Sequence, residues 1–359
     1  MALTERENYL RNARFQGPDW IPAVVSISGA SRAQLGRELE EVLVRHPTLF
    51  PNFVPGQIDY STYDFGPAHR ASEYFTDAWG CIWHSEVDGL EGVVVNAPLA
   101  DWEALETFVP PDPLVQWDRG PADWEGARRQ LEEARAAGRV AAGSLPHGFL
   151  FMRLYYLRGF ENFMMDVATD DPRLQRLIDI LLEQNMRYLR QWLELGVDVM
   201  HFGDDLGTQK ATLISPAKFG RYVTPAYKTL IDAIHEAGAL VALHSDGHIM
   251  EFMDEFAKAG VDIINPQDLL NGIDNLAREV KGRMCIRLDI DRQTVVPWGT
   301  RQEIYELIEE EVRKLGSPAG GLEFICGIYP PTPPENVDAV CSALEDFRTY
   351  WWDGRADRA

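Results

Sequence analysis

Residues 235–265 read HEAGALVALHSDGHIMEFMDEFAKAGVDIIN, and this stretch decides the fold. In it two helical segments end at Gly238 and Gly260, and an apolar strand follows each glycine at once. The same succession occurs at Gly196, in the segment LELGVDVMHF. Because glycine tolerates the left-handed conformation that ends a helix, each of these glycines predicts a junction from helix to strand.

Further apolar runs predict more strands of the same kind, over residues 21–26, 284–288 and 322–326. The runs are continuous rather than alternating, which is typical of parallel strands buried on both faces. Repeated strand-then-helix units predict the α/β class. We favour a (β/α)8 TIM barrel over a doubly wound sheet, because no glycine-rich phosphate loop follows a strand and polar residues follow many strands.

The chain is predicted to form one barrel domain over residues 1–359. Residues 1–150 are expected to hold an N-terminal extension, a hairpin over 74–96 and the first barrel elements. The regular βα units are expected over 151–350. In the hairpin, an Asp88-Gly89 turn signal separates two apolar runs.

The composition narrows the classes of function. The net charge of -22 would repel phosphate backbones, so nucleic acid is an unsuitable partner. No long apolar window predicts a membrane span, and the charged start of the chain lacks a signal peptide's apolar region. The 4 cysteines form no short-range disulfide pattern, so we expect reduced thiols and a cytoplasmic protein.

Polar residues follow five predicted strands, and the carboxyl ends of barrel strands share one rim. These residues are Asp204, Asp205, His244, Asp246, Asn265, Gln267, Asp289, Asp291 and Cys326. Of the adjacent pair Asp204 and Asp205, only one can face the barrel axis, as a general acid/base or cation ligand. The alternative for that pair is helix capping or a salt bridge.

A metal site is predicted at His244, Asp246 and Cys326. Imidazole, carboxylate and thiolate are all zinc ligands, and three protein ligands leave a position open for chemistry. In the alternative, His244 and Asp246 only bond each other and Cys326 is a buried apolar group. Five other histidines, His147 among them, have no partner at motif spacing and are interpreted as structural.

Three blocks resemble the uroporphyrinogen decarboxylase-like superfamily, which also contains cobalamin-linked methyltransferases. They are YYLRGFENFMMD (155–166), the segment from GDDLGTQ to HSDGHI (203–249) and CGIYPPTPPENV (326–337). The resemblance covers nearly the whole chain and implies a (β/α)8 barrel.

The decarboxylase branch implies an arginine-bearing motif after the first strand. Here that place reads VVSISGASRAQ (24–34), with only Arg32 nearby, which argues against a porphyrinogen substrate. The family's pyrrole-binding aspartate matches Asp77, and its tyrosine matches Tyr156, so both are candidate catalytic residues. The candidate substrate-binding residues are Gln267, Asp289, Asp291 and Tyr329.

The methyltransferase branch implies zinc held by a His-x-Cys pair and a later cysteine. His244 and Cys326 match this pattern, whereas Asp246 stands where the family has cysteine. A harder oxygen ligand would leave the zinc more Lewis-acidic. The first hypothesis is therefore a corrinoid-linked, metal-assisted methyltransferase for a small substrate.

In that hypothesis a separate corrinoid protein carries the cobalamin, and the barrel could form a homodimer. The alternatives are a uroporphyrinogen-type decarboxylase and a non-catalytic binding barrel. Decarboxylation would rest on Asp77 and Tyr156, and a binding role on the substitutions in the family motifs.

Overall fold

The computed structural model describes residues 3–60 and 64–356 of the chain. The strands are β1 (Ala23–Ile27), β2 (Tyr74–Thr76), β3 (Ile82–His84), β4 (Val93–Asn96), β5 (Gln116–Trp117), β6 (Gly120–Pro121), β7 (Ala142–Ser144), β8 (Val199–Gly203), β9 (Leu240–Ser245), β10 (Ile263–Pro266), β11 (Cys285–Asp289) and β12 (Leu322–Ile328).

Helices separate most of these strands. They are α1 (Glu5–Ala13), α2 (Gly29–Arg45), α3 (Trp124–Ala136), α4 (Phe151–Arg158), α5 (Phe160–Thr169), α6 (Pro172–Leu195), α7 (Pro216–Tyr222), α8 (Thr224–Glu236), α9 (Met253–Ala259), α10 (Asp268–Asn271), α11 (Ile273–Glu279), α12 (Val295–Trp298), α13 (Arg301–Leu315) and α14 (Pro334–Phe347). In the ranges 3–60 and 64–356, none of these helices is long and apolar enough to cross a bilayer.

The chain divides into two compact units. The first unit comprises Met1–Ala71, Glu86–Glu91 and Pro266–Ala359, and the second comprises Ser72–Ser85 and Gly92–Asn265. The prediction of one domain over the whole chain stays a prediction.

Seven strands form the principal sheet, in the order β1-β12-β11-β10-β9-β8-β7. In the first unit β12 pairs in parallel with both β1 and β11. In the second unit β8 pairs in parallel with both β7 and β9. The α/β class with parallel strands is confirmed, whereas closure by eight strands stays a prediction.

The helix-to-strand junctions form as the glycines predict. Helix α6 starts with Pro172 in its first turn and ends at Gly196, which has a φ of 78°. The glycines at the other two junctions also have left-handed φ values, 80° at Gly238 and 97° at Gly260. At each of these points a side chain would strain the backbone, so local sequence fixes where each following strand begins.

The register of the second unit brings three strand ends to one edge. Ser144, the last residue of β7, lies opposite His201 of β8, and Gly203, the last residue of β8, lies opposite His244 of β9. Since the three strands are parallel, the loops that leave their carboxyl ends lie side by side.

The predicted hairpin forms, with one strand more than expected. Strands β3 and β4 pair antiparallel, and β2 adds to the other side of β3 in a three-stranded sheet. After this sheet, the chain forms the short antiparallel pair β5 and β6.

Candidate functional site

Two imidazoles and a carboxylate meet at the carboxyl ends of β7, β8 and β9. Nε2 of His147 lies 3.6 Å from Oδ1 of Asp205, and Nε2 of His244 lies 3.8 Å from the same oxygen. One ligand atom from each of the three side chains lies within 4.8 Å of the others, a grouping that could hold a metal ion. Two imidazoles with one carboxylate are a common ligand set for divalent transition metals.

His244 is held in one orientation by an amide. Its Nδ1 lies 2.9 Å from Oδ1 of Asn265. Because an amide oxygen can only accept, Nδ1 carries the proton, and the lone pair of a neutral ring is on Nε2, toward Asp205. The same arrangement orients metal-binding histidines in many proteins.

The His147 ring occupies space that a side chain at position 203 would fill. A Cβ on Gly203 would lie 2.6 Å from Cδ2 of His147, closer than real contacts allow. The backbone N–H of Gly148 donates to the carbonyl of Gly203 at 2.7 Å, which ties the loop after β7 to the end of β8. Glycine at position 203 therefore makes room for the His147 ring.

Asp205 is ionised at neutral pH. Burial alone would raise its pKa, but His147, His244 and the backbone N–H of Asp246 lower the pKa of Asp205 to about 2. That N–H donates to Oδ1 of Asp205 at 2.9 Å. The carboxylate is thus available as an anionic ligand or a hydrogen-bond acceptor.

The loops after β8 and β9 pack closely because both contain glycine. A Cβ on Gly247, whose φ is 88°, would lie 2.2 Å from the backbone of Gly207. The N–H of Leu206 donates to Oγ of Ser245 at 3.0 Å, and the N–H of His248 donates to the carbonyl of Thr208 at 2.8 Å. These contacts fix the backbone on either side of Asp205 and Asp246.

Asp204, the neighbour of Asp205 in sequence, is fully buried. Its carboxylate accepts the N–H groups of Phe151 and Met152, at 2.6 Å and 2.8 Å, and the hydroxyl of Tyr227 at 2.9 Å. Burial raises the pKa of Asp204 to about 6, against the lowering effect of these donors. The contacts are those of a cap for α4, which was the alternative reading of this pair.

The remaining predicted metal ligands differ in surroundings. Oδ1 of Asp246 lies 3.3 Å from Nε2 of His244, and its side chain is 38% exposed. Cys326 lies on β12 in the first unit and is fully buried. Burial, followed by the charge of Asp289, raises the pKa of the Cys326 thiol well above its usual value. In the described residues, Cys326 belongs to no group of three such ligand atoms.

Asp77 is enclosed by donors. Its Oδ1 accepts the N–H groups of Trp79 and Cys81, both at 2.9 Å, and its Oδ2 accepts Nε1 of Trp83 at 2.9 Å. The guanidinium of Arg153 approaches Oδ2 at 3.3 Å and also pairs with Asp118. A carboxylate has about four acceptor sites, so these bonds occupy Asp77.

Tyr156 lines an apolar cavity of about 350 Å³ in the second unit. The cavity is bounded by Gly92, Val93, Val94, Val95, Ala97, Tyr155, Tyr156, Gly159 and Phe160. Gly148 packs beneath Tyr156, since a Cβ there would lie 3.0 Å from Cε2 of that ring. Gly148 is also the neighbour of His147 in sequence.

The predicted substrate-binding residues collect in the first unit. Gln267, Asp289 and Asp291 line a cavity of about 200 Å³ together with Arg292. Arg292 lies 3.4 Å from Oδ2 of Asp289, and its guanidinium carbon lies 5.3 Å from the ring centre of Tyr329. The sequence offers pairing with Arg287 and Arg292 as the alternative role of Asp289 and Asp291, and the contact of Arg292 with Asp289 agrees with that alternative.

Asp291 has a structural task in that cavity wall. Its carboxylate accepts the N–H groups of Gln293, Thr294 and Val295, at 3.1 Å, 2.8 Å and 2.5 Å. These bonds satisfy the start of α12, so Asp291 shapes the wall rather than presenting a free acceptor.

Comparison with known proteins identifies the family. The sequence profile of uroporphyrinogen decarboxylase (URO-D) matches residues 89–347. The chain belongs to the URO-D family. The resemblance predicted from the three sequence blocks is thereby confirmed.

Members of this family similar to the chain are of two kinds. It is 28% identical over 178 residues to a uroporphyrinogen decarboxylase of Thermus thermophilus, an alignment that covers 48% of each protein. It is 22% identical over 279 residues to the methylcobamide:CoM methyltransferase MtaA of Methanosarcina barkeri, with 76% of each covered. The chain thus matches about half the length of the Thermus relative. The names of both relatives are those of enzymes.

A solved structure supports the fold over almost the entire chain. The methyltransferase from Methanosarcina mazei superposes with a TM-score of 0.68 at 19% identity, covering 96% of this chain and 99% of that one. At this identity the likeness concerns the fold alone.

Proposed function

We propose that this URO-D family member is a metal-assisted methyltransferase that takes its methyl group from a corrinoid protein and passes it to a small thiol. The observation that carries the proposal is the orientation of His244: Asn265 binds Nδ1, so Nε2 is presented beside the Asp205 carboxylate. The relative whose name specifies methylcobamide and CoM aligns over 76% of the chain, which supports the corrinoid and the thiol as reactants.

The residues fit a bound divalent ion. An ion held through His244 would supply Lewis acidity that favours the thiolate form of the acceptor. Asp246 would receive the thiol proton: its Oδ1 lies 3.3 Å from Nε2 of His244 and its side chain is 38% exposed to water.

The sulfur lone pair would form the new S–CH3 bond, and the methylcorrinoid co-substrate would leave with the electron pair of its broken Co–CH3 bond. The thiol proton passes to Asp246 and then to water. The apolar cavity beside Tyr156 would hold the body of the acceptor.

Porphyrinogen decarboxylation is less well supported by the contacts of Asp77. Its acceptor sites are occupied by Trp79, Cys81, Trp83 and Arg153, so pyrrole N–H groups would have to displace bonds already made. The Thermus decarboxylase remains a relative at 28% identity, which makes this reaction the second outcome of the test.

The test offers both substrates to the purified protein under anaerobic conditions. With Zn²⁺, methylcob(III)alamin and an alkyl thiol, we expect loss of methylcob(III)alamin absorbance and formation of the methyl thioether by mass spectrometry. His244→Ala should abolish this transfer. His235→Ala is the matched control, since His235 pairs with Asp262, 2.8 Å away, in the same unit. Absence of thioether, with conversion of uroporphyrinogen III to coproporphyrinogen, would replace the proposal by decarboxylation.

A further inference from the structure

We propose that His147, Asp205 and His244 are the metal ligands of this chain, as a two-histidine, one-carboxylate site that is complete within the second unit. This ligand set differs from the His244, Asp246 and Cys326 set that the sequence predicts. The inference rests on the proposed function for the chemistry of the site, but its ligands are argued from geometry alone.

The distances suit ligands around an ion better than partners in hydrogen bonds. Nε2 of His147 and Nε2 of His244 lie 3.6 Å and 3.8 Å from Oδ1 of Asp205. A charge-assisted N–H···O bond would be about 2.7–2.9 Å long. Ligand atoms about 2.0–2.1 Å from a tetrahedral zinc ion are roughly 3.3 Å from one another. Small movements of the two rings would therefore complete the coordination.

The two imidazole rings lie close enough to share one ion. Their centroids are 6.0 Å apart with an interplanar angle of 42°. The three ligand atoms all lie within 4.8 Å of one another, so a single ion can reach each of them.

Two further observations, independent of the ligand distances, indicate a site built for this purpose. Asn265, only 6% exposed, binds Nδ1 of His244 and so directs Nε2 to the ligand group. Gly203 leaves the space that the His147 ring occupies, where a Cβ would lie 2.6 Å from that ring. Three side chains that only attract one another by charge at the surface would need neither the Asn265 bond nor the space at Gly203.

The site leaves room for a substrate. The His147 side chain is 49% exposed, whereas those of Asp205 and His244 are 26% and 25% exposed. Three protein ligands with one accessible side match the open coordination of catalytic zinc rather than the closed four-ligand cage of structural zinc. Two nitrogens and one oxygen favour Zn²⁺ and Co²⁺ over Mg²⁺ or Ca²⁺.

The experiment measures metal binding itself. Protein freed of metal by a chelator is titrated with Zn²⁺ by calorimetry, and with Co²⁺ by the visible absorption of a tetrahedral cobalt site. We expect one ion per chain in the wild type. Loss of any one ligand should weaken Zn²⁺ binding by about 10-fold to 100-fold or more. The variants that test this are His147→Ala, Asp205→Ala and His244→Ala. Circular dichroism and thermal unfolding check that each variant is folded.

Two variants separate this ligand set from the alternative. Cys326→Ala should leave the Zn²⁺ affinity and the cobalt spectrum unchanged, and so should the matched control His235→Ala. Unchanged affinity in His147→Ala together with loss in Cys326→Ala would overturn the proposal, and so would absence of binding in the wild type. If Asp205→Ala is folded but no longer binds Zn²⁺, Asp205 is a ligand.

The result is distinguishable from a failure of the proposed function. Binding that depends on His147, Asp205 and His244 without any methyl transfer would support the ligand set and refute the methyltransferase. Methyl transfer that persists in His147→Ala with unaltered metal content would support the methyltransferase and refute this ligand set.

Discussion

Nδ1 of His244 lies 2.9 Å from Oδ1 of Asn265, at the ends of two successive strands, β9 and β10. This bond determines which nitrogen of the imidazole carries the proton, and it turns the other toward Asp205. Asn265 therefore acts through His244, as a positioning residue that touches neither metal nor substrate in the proposed site.

Replacement of Asn265 by leucine should weaken metal binding without removing a ligand. The leucine side chain has a similar volume but cannot accept the Nδ1 proton, so His244 loses its preferred tautomer and orientation. We expect a 10-fold to 100-fold loss of Zn²⁺ affinity, about the usual effect of removing such a partner. Calorimetric titration measures it. Asn271→Leu is the control, because Asn271 is buried in the first unit and bonds the carbonyl of Gln267 at 2.8 Å.

Gly203→Ala tests the space beneath His147. The added Cβ would lie 2.6 Å from Cδ2 of the ring, so the ring must move out of the ligand group. We expect loss of the tetrahedral cobalt spectrum with retention of the far-ultraviolet circular dichroism. In Gly120→Ala the new Cβ meets no atom within 4 Å, so this control should keep both signals. An unchanged cobalt spectrum in Gly203→Ala would show that His147 is not a ligand.

The parts of the fold that sequence predicts well are those that local conformation decides. Gly196, Gly238 and Gly260 all adopt positive φ and all precede strands, as their positions after apolar helices indicated. A left-handed glycine depends on its neighbours in sequence and on little else. The number of strands in the sheet depends on distant pairings, which no local pattern records.

The same contrast between local conformation and distant contacts applies to the candidate site. Sequence placed Asp204 and Asp205 at a strand end but could not say which would face the site, because adjacent residues point to opposite sides. The choice is made by α4, whose first N–H groups bind Asp204 and leave Asp205 for the imidazoles. That helix begins more than 50 residues earlier, since Phe151 and Asp204 are 53 positions apart.

The sequence predicts a structural role for His147, because this residue has no partner at motif spacing. It reaches Asp205 only because β7 lies beside β8 in the sheet, with Ser144 opposite His201. Neighbouring strands in a sheet need not carry a shared sequence signal, so this contact required the strand order.

Asp204→Asn should cost stability rather than act on chemistry directly. At pH 8 the carboxylate accepts two backbone N–H groups and the hydroxyl of Tyr227. The side-chain amide of asparagine would place its own N–H group against at least one of these three donors. We expect a loss of about 1–3 kcal/mol in the free energy of unfolding, measured in urea. Asp232→Asn, at an exposed pair with Lys228, should change it by less than about 0.5 kcal/mol. A loss no larger than in this control would contradict the capping role.

Glu311→Gln should make the stability less dependent on pH. Glu311 of α13 and Asp268 of α10 are both buried in the first unit, at 0% and 1% exposure. Burial, followed by the charge of Asp268, raises the pKa of Glu311 well above its usual range. Burial likewise raises the pKa of Asp268. The folded chain thus keeps Glu311 protonated at pH values where the unfolded chain releases that proton.

The sign of the effect follows from this difference. Such a carboxyl has a higher pKa in the folded chain than in the unfolded chain, where it is about 4.3. Its stabilising contribution is complete below the pKa of the unfolded state and is lost as the pH rises through the pKa of the folded state. Glutamine resembles the protonated carboxyl and does not titrate. The gain in unfolding free energy of Glu311→Gln over wild type should therefore grow between pH 5 and pH 8, by at most about 1.4 kcal/mol per pH unit. Urea unfolding at several pH values measures it. Glu310→Gln, at a neighbouring position that is 41% exposed, is the control. A gain in Glu311→Gln that is the same at pH 5 and pH 8 would mean that Glu311 is ionised in the folded chain.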